Sequence, residues 1–436
     1  MNCEQRTKPG DKWALPFFTI WSVQALSLLG SQLVQFALIW WLTKTTGSAT
    51  VLAMATLVGL VPSIILGPVA GALVDRWNRR VIMIVADAVI AAATVGLAIL
   101  FWTGYVQIWH IYSIMFVRSL AGVFHRIAMQ TSTSLMVPKE HLARVQGLNQ
   151  MLNGGLNIAS APLGALLLEL LSMQSILFID VSTAIVAILP LFFIFIPQPM
   201  RSSSPSGEAG SSIWQELKLG FQYVRGWPGL LLIGLLATFI NLLLTPAFTL
   251  IPLLVTQHFG GGAFQLAWID SIAGVGIIAG GLLLGVWGGF KRRIVTSLAG
   301  LIGIGFGAIL MGLTPEYMFP LGLAAALIIG FSLPITNGPL HAALQATVAP
   351  DMQGRVFTLI ESVVSAMSPL GLLIAGPVSD LVGVQSWFLM GGVISVLMGI
   401  IGLLIPAIIH FEDGREYVPD LEIGKRDLAT EVGELP

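Results

Sequence analysis

Charge and cysteine are both scarce in this chain of 436 residues. Only 10% of the residues are Asp, Glu, Lys or Arg, and the one cysteine is Cys3. A single cysteine excludes an internal disulfide and any metal site built from several cysteines. With 56% hydrophobic residues and a mean hydropathy of +0.87, the chain has too little polar surface to cover a soluble globule. It is therefore expected to lie in a membrane.

The motifs of common enzymes are also missing. The sequence contains no Gly-x-x-x-x-Gly-Lys-Ser/Thr phosphate loop and no His-Glu-x-x-His metal pair. It displays neither paired catalytic acids nor a Ser/Lys constellation at one membrane depth. We therefore expect no enzyme activity, no cofactor and no metal. The formal net charge of −1 gives no indication of a nucleic-acid partner, and we expect none.

Long apolar runs are what the sequence has in abundance. They match the roughly 20 apolar residues that an α-helix needs to cross about 30 Å of hydrocarbon. The strict alternation that marks a membrane β-strand is absent. The prediction is an all-α, polytopic membrane protein with twelve transmembrane helices in two six-helix bundles. The predicted spans are 15–42, 50–74, 81–103, 107–130, 142–171, 175–197, 228–256, 264–289, 294–313, 317–346, 355–380 and 385–410.

The placement of basic residues orients these helices. If the N-terminus lies in the cytosol, all lysines and arginines except Lys44 and Arg118 fall in or beside cytosolic segments. Because basic loop residues resist translocation, both termini are expected in the cytosol. The predicted parts are an N-terminal bundle over 1–197, a linker over 198–226, a C-terminal bundle over 227–411 and a cytosolic tail over 412–436.

The linker interrupts the apolar pattern with prolines and a serine run. Within it, Ile213, Leu217, Phe221 and Val224 share one face of a helix, opposite polar residues. This pattern favours a short amphipathic helix at the membrane surface. A polar linker with incidental apolar residues is the alternative.

The two predicted bundles resemble each other in sequence. Residues 137–145 have a counterpart in residues 349–356, and the Ala-Pro-Leu-Gly of 161–164 is echoed by the Ser-Pro-Leu-Gly of 368–371. Two parallel six-helix repeats are typical of transporters that bind substrate between the halves, near the middle of the membrane. Channels more often use symmetric subunits, so the repeat favours a transporter.

The segment between the second and third spans, residues 71–80, reads Gly-Ala-Leu-Val-Asp-Arg-Trp-Asn-Arg-Arg. An acid beside three arginines predicts a tight turn with an ionic latch that holds one access state closed. A local turn stabiliser is the alternative. In the second repeat Gly285 stands opposite the acid, so the predicted latch is one-sided. The predicted latch residues are Gly71, Asp75, Arg76, Arg79 and Arg80.

The same segment resembles the loop signature of the major facilitator superfamily, Gly-x-Leu-Ala-Asp-Arg-x-Gly-Arg-Arg, with Asn78 in place of the second glycine. Asn tolerates left-handed backbone angles, so we expect the turn to survive. Residues 114–122 resemble the signature of the fourth helix of that family, with Arg118 at its arginine. Residues 157–165 resemble the fifth-helix signature of its antiporters, although three glycines are missing.

Shorter stretches in both halves are similar to the macrolide-efflux proteins of this superfamily. They are residues 18–21, 24–27, 46–49, 355–357 and 387–389. This resemblance implies a monomer in a bacterial cytoplasmic membrane that exports macrolides or similar amphiphiles by proton antiport with alternating access. Its partners would be the lipid bilayer, a small amphipathic drug and protons. A siderophore or another natural amphiphile is the alternative substrate, and a channel or membrane enzyme is a remote alternative.

Arg118 lies in the middle of the predicted fourth span. A charge at membrane depth is costly and usually faces a wet cavity or a partner of opposite sign. The family resemblance implies proton coupling for this arginine, in a cavity, and a structural pair with an acid or a carbonyl is the alternative. His125 lies on the same helical face but nearer the cytosol, where we expect an interfacial anchor.

The candidate proton carriers are Asp87, Asp180, Asp270 and Glu361. A carboxyl group in an apolar environment is more readily protonated than one in water. Glu361 is favoured because the repeat sets it opposite Gln150, and a hydrogen-bonded acid near the helix end is the alternative. Asp87 is also a candidate partner of the loop arginines, and Asp180 and Asp270 are expected nearer the external face. The residues assigned to proton coupling are Arg118, Glu361, Asp87 and Asp270.

The family fold implies a cavity lined by the first, fourth, seventh and tenth spans. Four polar residues share one face of the first span, and uncharged polar and aromatic residues recur in the seventh and tenth. Amides, hydroxyls and aromatic rings suit a large amphipathic guest. Hydrogen bonds between helices of the bundle are the alternative role for each of them. The residues predicted to bind substrate are Trp21, Gln24, Ser27, Ser31, Gln35, Asn241, Phe248, Asn337 and His341.

Overall fold

The structure, a computed structural model, describes residues 13–196 and 213–413. These residues are almost entirely helical, and no strand occurs among them. The first half contains α1 (Ala14–Thr46), α2 (Ala49–Arg76), α3 (Arg79–Thr103), α4 (Ile108–Met136), α5 (Lys139–Leu170) and α6 (Met173–Phe193). The connector contributes α7 (Ile213–Arg225). The second half contains α8 (Pro228–Thr249), the short α9 (Ile251–Leu253), α10 (Ala263–Trp287), α11 (Arg293–Leu313), α12 (Phe319–Thr347), α13 (Pro350–Val382), α14 (Val384–Leu404) and α15 (Pro406–Ile409).

Within the described ranges, 11 helices are long and apolar enough to cross a membrane. The remaining long helix of the first half is α4, which carries Arg118, His125 and Arg126 and is therefore less apolar. It packs along both α2 and α3, so it crosses with them. The all-α class and the membrane bundle are confirmed, and the described helices are consistent with twelve spans.

Short local signals set the ends of the first helices. Gly47 ends α1 in the left-handed region, at φ 58°, where a residue without a Cβ is favoured. The Ser48 hydroxyl then accepts a hydrogen bond from the Val51 amide and caps α2. The turn at Asn78 is present as expected, and it needs no left-handed angle there because the φ of Asn78 is −70°. The Asn78 side chain accepts hydrogen bonds from two backbone amides and caps α3.

The second half packs helix backbones close together at glycines. A Cβ on Gly280 would collide with the Phe331 carbonyl, and one on Gly330 would collide with the Ala273 carbonyl, so α10 and α12 lie in direct backbone contact. A Cβ on Gly305 would lie 2.7 Å from the Gly392 carbonyl oxygen, where α11 meets α14. Glycine allows this close approach, which strengthens van der Waals packing between membrane helices.

The two halves meet at one end of the bundle, which we call the Gly47 end. There α2 packs on α13 and α5 packs on α10. Hydrogen bonds between the halves at this end join residues 47–50 to Gln257 and Asp380. At the other end, which we call the Gly71 end, a Cβ on Gly71 or Gly285 would meet no atom within 4 Å. The bundle is therefore closed at the Gly47 end.

The helix that the sequence pattern predicts within the linker is present as α7 (Ile213–Arg225). Its Val224 is buried against Trp227, whereas Phe221 is exposed. This helix packs on α13. The first part of the linker, residues 198–212, and the tail from 414 onward lie outside the described residues. The membrane-surface position of α7 stays a prediction.

Candidate functional site

A cavity of about 290 Å³ lies between the two halves, next to the contacts of the Gly47 end. Helices of both halves contribute to it, as expected for a site at the interface of two repeats. Its described lining includes two glutamines, several hydroxyls, two phenylalanines and one carboxylate. The lining residues are Gln32, Gln35, Phe36, Ile39, Thr56, Ser160, Ala161, Phe248, Thr249, Ile251, Pro252, Leu266 and Asp270.

Two of the predicted substrate-binding residues, Gln35 and Phe248, line this cavity. Asp270, predicted as a coupling residue, is the one charged side chain in the described lining. It was expected nearer the external face, and it lies at the cavity wall on α10. Whether these residues bind substrate or protons stays a prediction.

Arg118 lies inside the first half and does not line this cavity. Its guanidinium is 2.5 Å from an Asp180 carboxylate oxygen, and the two side chains are 11% and 1% exposed. The guanidinium also donates to the Thr94 hydroxyl. The structural pair weighed as the alternative to a cavity-facing role is therefore present. A role of Arg118 in coupling stays a prediction.

Asp180 on α6 is the main residue that the sequence analysis undervalued. It was expected nearer the external face than Asp87 and Glu361, and in the structure it is 1% exposed and accepts hydrogen bonds from Ser31 at 3.0 Å and Thr94 at 3.1 Å. A buried arginine needs a counter-ion. The presence of Arg118 in mid-span was therefore a usable signal that an acid on another helix lies at the same depth.

Asp87 on α3 belongs to a second buried polar cluster. It accepts a hydrogen bond from Gln24 at 3.1 Å and lies 3.4 Å from His125 Nε2, an ion pair when the imidazole is protonated. The predicted pairing of Asp87 with the loop arginines is wrong, because the partners of its carboxylate are Gln24 and His125. His125 is 8% exposed, so it is a partner of Asp87 and not an interfacial anchor.

The polar stripe of α1 lies mostly inside the first half. Gln24 and Ser27 are buried, Ser31 bonds Asp180, and the Trp21 indole donates to Asn149 on α5 at 2.7 Å. None of these four residues is among the described lining of the cavity between the halves, and their predicted binding of substrate stays a prediction. Hydrogen bonds to other helices, weighed as the alternative, are present for Trp21, Gln24 and Ser31.

The residues of the second half that were predicted to bind substrate or carry protons lie in different environments. The Asn241 side-chain oxygen accepts hydrogen bonds from Thr245 and Ser368, both at 3.1 Å, and so joins α8 to α13. Asn337 and His341 are exposed on α12, and Glu361 is exposed on α13. No ion pair involves Glu361 in the part of the chain that the structure describes. Their predicted roles stay predictions.

The predicted latch lies at the Gly71 end. Arg76 is exposed, Arg79 is buried, and Arg80 donates to the Phe192 carbonyl of α6. The side chain of Asp75 lies outside the described part of the chain. Because the described contacts of Arg79 and Arg80 are within the first half, the latch between halves stays a prediction.

Comparisons with known proteins agree with this architecture. A sequence profile of the Major Facilitator Superfamily matches residues 20–371 and 245–420. The structure aligns with the crystal structure of a bacterial homologue of the human lysosomal transporter Spinster at a TM-score of 0.66 and 13% identity. That alignment covers 92% of this chain and 96% of the other.

Two curated relatives support the narrower resemblance. The chain is 34% identical over 394 residues to macrolide efflux protein A of Streptococcus pyogenes, covering 90% of this chain and 96% of that protein. It is 32% identical over 329 residues to macrolide efflux protein A of Enterococcus faecalis, covering 75% of this chain and all of that protein. The similarity to macrolide-efflux proteins is thereby confirmed, and the chain belongs to the major facilitator superfamily of membrane transporters.

Proposed function

We propose that this transporter exports macrolide-like or other amphipathic drugs from a bacterial cell by proton antiport with alternating access. The cavity between the halves carries the proposal. Its amides, hydroxyls and phenylalanines offer dispersed polar groups in an apolar wall, which suits a large amphipathic guest better than a small ion. The names of the two curated relatives support macrolides as the substrate class.

The closure at one end supports alternating access. With both termini in the cytosol, as the basic loops predict, the Gly47 end is external and the Gly71 end is cytosolic. In that orientation we propose that the cavity receives an exported drug from the cytosolic side. In the opposite state the halves would separate at the Gly47 end and close at the Gly71 end, around the Asp75 loop. We propose that the latch residues hold the Gly71 end closed in that state.

Expression in a macrolide-sensitive bacterium tests the substrate. We expect lower macrolide susceptibility, and loss of that protection when an uncoupler collapses the proton gradient. Unchanged susceptibility, with the protein present in the membrane, would contradict macrolide export. Macrolide-induced proton movement in inverted vesicles tests antiport directly, and competition by siderophores in the same vesicles tests the alternative substrate.

A further inference from the structure

Two glutamines of α1, Gln32 and Gln35, line the cavity between the halves with exposed side chains. They are three positions apart, so they lie on the same face of the helix. Neither amide forms a hydrogen bond with another residue of 13–196 or 213–413, whereas Gln24 on the same helix donates to Asp87 at 3.1 Å. Each amide therefore offers two N–H donors and one acceptor oxygen to the cavity.

The hydroxyls of the cavity do not offer the same donors. Thr56 and Thr249 line the cavity, but each hydroxyl donates its one proton to the carbonyl four positions earlier in its own helix, at 3.0 Å. A hydroxyl whose proton is used in this way retains only lone pairs. The Asp270 carboxylate, when ionised, also accepts and does not donate. In the described lining, Ser160 and the two glutamines are therefore the side chains that can donate to a guest.

This distribution determines which groups of a guest the cavity can pair. A guest hydroxyl or N–H group finds acceptors at several places in the wall. A guest carbonyl can only accept, and it finds its donors mainly on α1. Because a carbonyl oxygen that loses water without gaining a donor costs free energy, a guest with carbonyl groups depends on these glutamines.

We propose that Gln32 and Gln35 form a carbonyl-binding subsite, in which their amide N–H groups donate to ketone, ester or amide oxygens of the guest. This inference rests on the proposed export function and narrows its substrate class to amphiphiles that carry carbonyl groups. Phe36 and Phe248 line the same cavity and contact the apolar part of the guest. Analogues of the same shape without the carbonyl bind more weakly, because the amides then lose water without gaining a partner.

A general role in keeping the cavity wet is the alternative for the two glutamines. Polar groups that only hold water affect every guest of the same shape alike. A carbonyl-binding subsite affects only guests that carry a carbonyl. The ratio of two affinities, one for a ketone and one for its analogue without the ketone oxygen, separates the two roles. Equilibrium binding to the purified protein measures this ratio without a proton gradient and without transport.

The experiment compares two uncharged dyes, an acyl dimethylaminonaphthalene and its alkyl analogue, which differ only in the ketone. Binding is followed by quenching of tryptophan fluorescence in the purified, detergent-solubilised protein. In the double variant Gln32→Met with Gln35→Met, which keeps the length of both side chains, we expect the ratio of ketone-dye to alkyl-dye affinity to fall about ten-fold. The emission of the bound ketone dye should also move to shorter wavelength, since its carbonyl no longer accepts a hydrogen bond from these amides.

Gln222→Met is the matched control, because Gln222 is an exposed glutamine on α7 outside the cavity lining. Its affinity ratio should equal that of the wild type. An unchanged ratio in the double variant would overturn the proposal, whether both dyes bind more tightly, more weakly or as before. If the ratio depends on the α1 glutamines but inverted vesicles move no drug, the proposed export fails while the carbonyl-binding subsite stands. If vesicles export a macrolide and the ratio is unchanged, the subsite fails and the export stands.

Discussion

The two halves hold their helices together by different means. Among the described residues, the buried ionisable side chains all lie in the first half, whereas the buried polar residues of the second half are serines and threonines. The second half relies on glycines that bring backbones into contact. Lipid provides no hydrophobic force between helices, so a bundle needs polar bonds or close packing. Each half uses mainly one of these, and groups whose charge changes on protonation are therefore concentrated in the core of the first half.

The largest expected effect comes from breaking the ion pair of the first half. Asp180→Ala leaves the Arg118 guanidinium buried without its carboxylate, which should lower the free energy of unfolding by about 3–5 kcal/mol. Thermal unfolding in detergent measures the loss. The double variant Arg118→Leu with Asp180→Leu should recover most of it, because replacing both charges by apolar groups is far less costly than removing one. If the double variant were as unstable as Asp180→Ala, the loss could not be due to the unpaired charge of Arg118.

A smaller effect is expected from the glycine packing of the second half. Gly280→Ala adds a methyl group that collides with the Phe331 carbonyl, and we expect a loss of about 1–3 kcal/mol in the free energy of unfolding. Gly281→Ala is the matched control, since a Cβ there meets no atom within 4 Å. In a helix, alanine is favoured over glycine by about 1 kcal/mol, so the control should be neutral or stabilising. Equal unfolding temperatures for Gly280→Ala and Gly281→Ala would contradict the claim that the second half depends on close packing at glycines.

The division between the halves was only partly predictable from the sequence. Apolar length and charge placement located the long helices, because the bilayer imposes those patterns on every span. Partners across the bundle were not predictable in this way, since Arg118 and Asp180 are 62 positions apart on different helices. Helical spacing groups Gln24 and Ser31 on one face of α1, but it does not tell which neighbour that face meets. In the structure the face meets α3 and α6 at those residues and the cavity at Gln35.

The contact between the halves is also held by polar bonds, here formed by an exposed residue. The Asp380 carboxylate of α13 caps the start of α2, accepting hydrogen bonds from the Ala49 amide at 2.6 Å and the Thr50 amide at 3.0 Å. It also accepts hydrogen bonds from the Ser48 and Thr50 hydroxyls, at 2.9 and 2.6 Å. A negative charge is favoured at the start of a helix, although exposure to solvent weakens the effect. This cap should therefore contribute less than the buried pair of the first half.

The smallest expected effect is accordingly that of Asp380→Asn, about 1 kcal/mol in the equilibrium between the closed and open Gly47 end. Spin labels at cysteines introduced at Thr45 and Leu381, in a Cys3→Ser background, measure the distance across that end. The open fraction relative to the closed one should rise about five-fold. Glu169→Gln, which removes an exposed acid at the same end of α5, should leave the distances unchanged. The unfolding temperature should stay near that of the wild type, because the cap joins the halves and is not part of the core of either. An equal distance shift in both variants would mean that net charge, and not the cap on α2, holds this end closed.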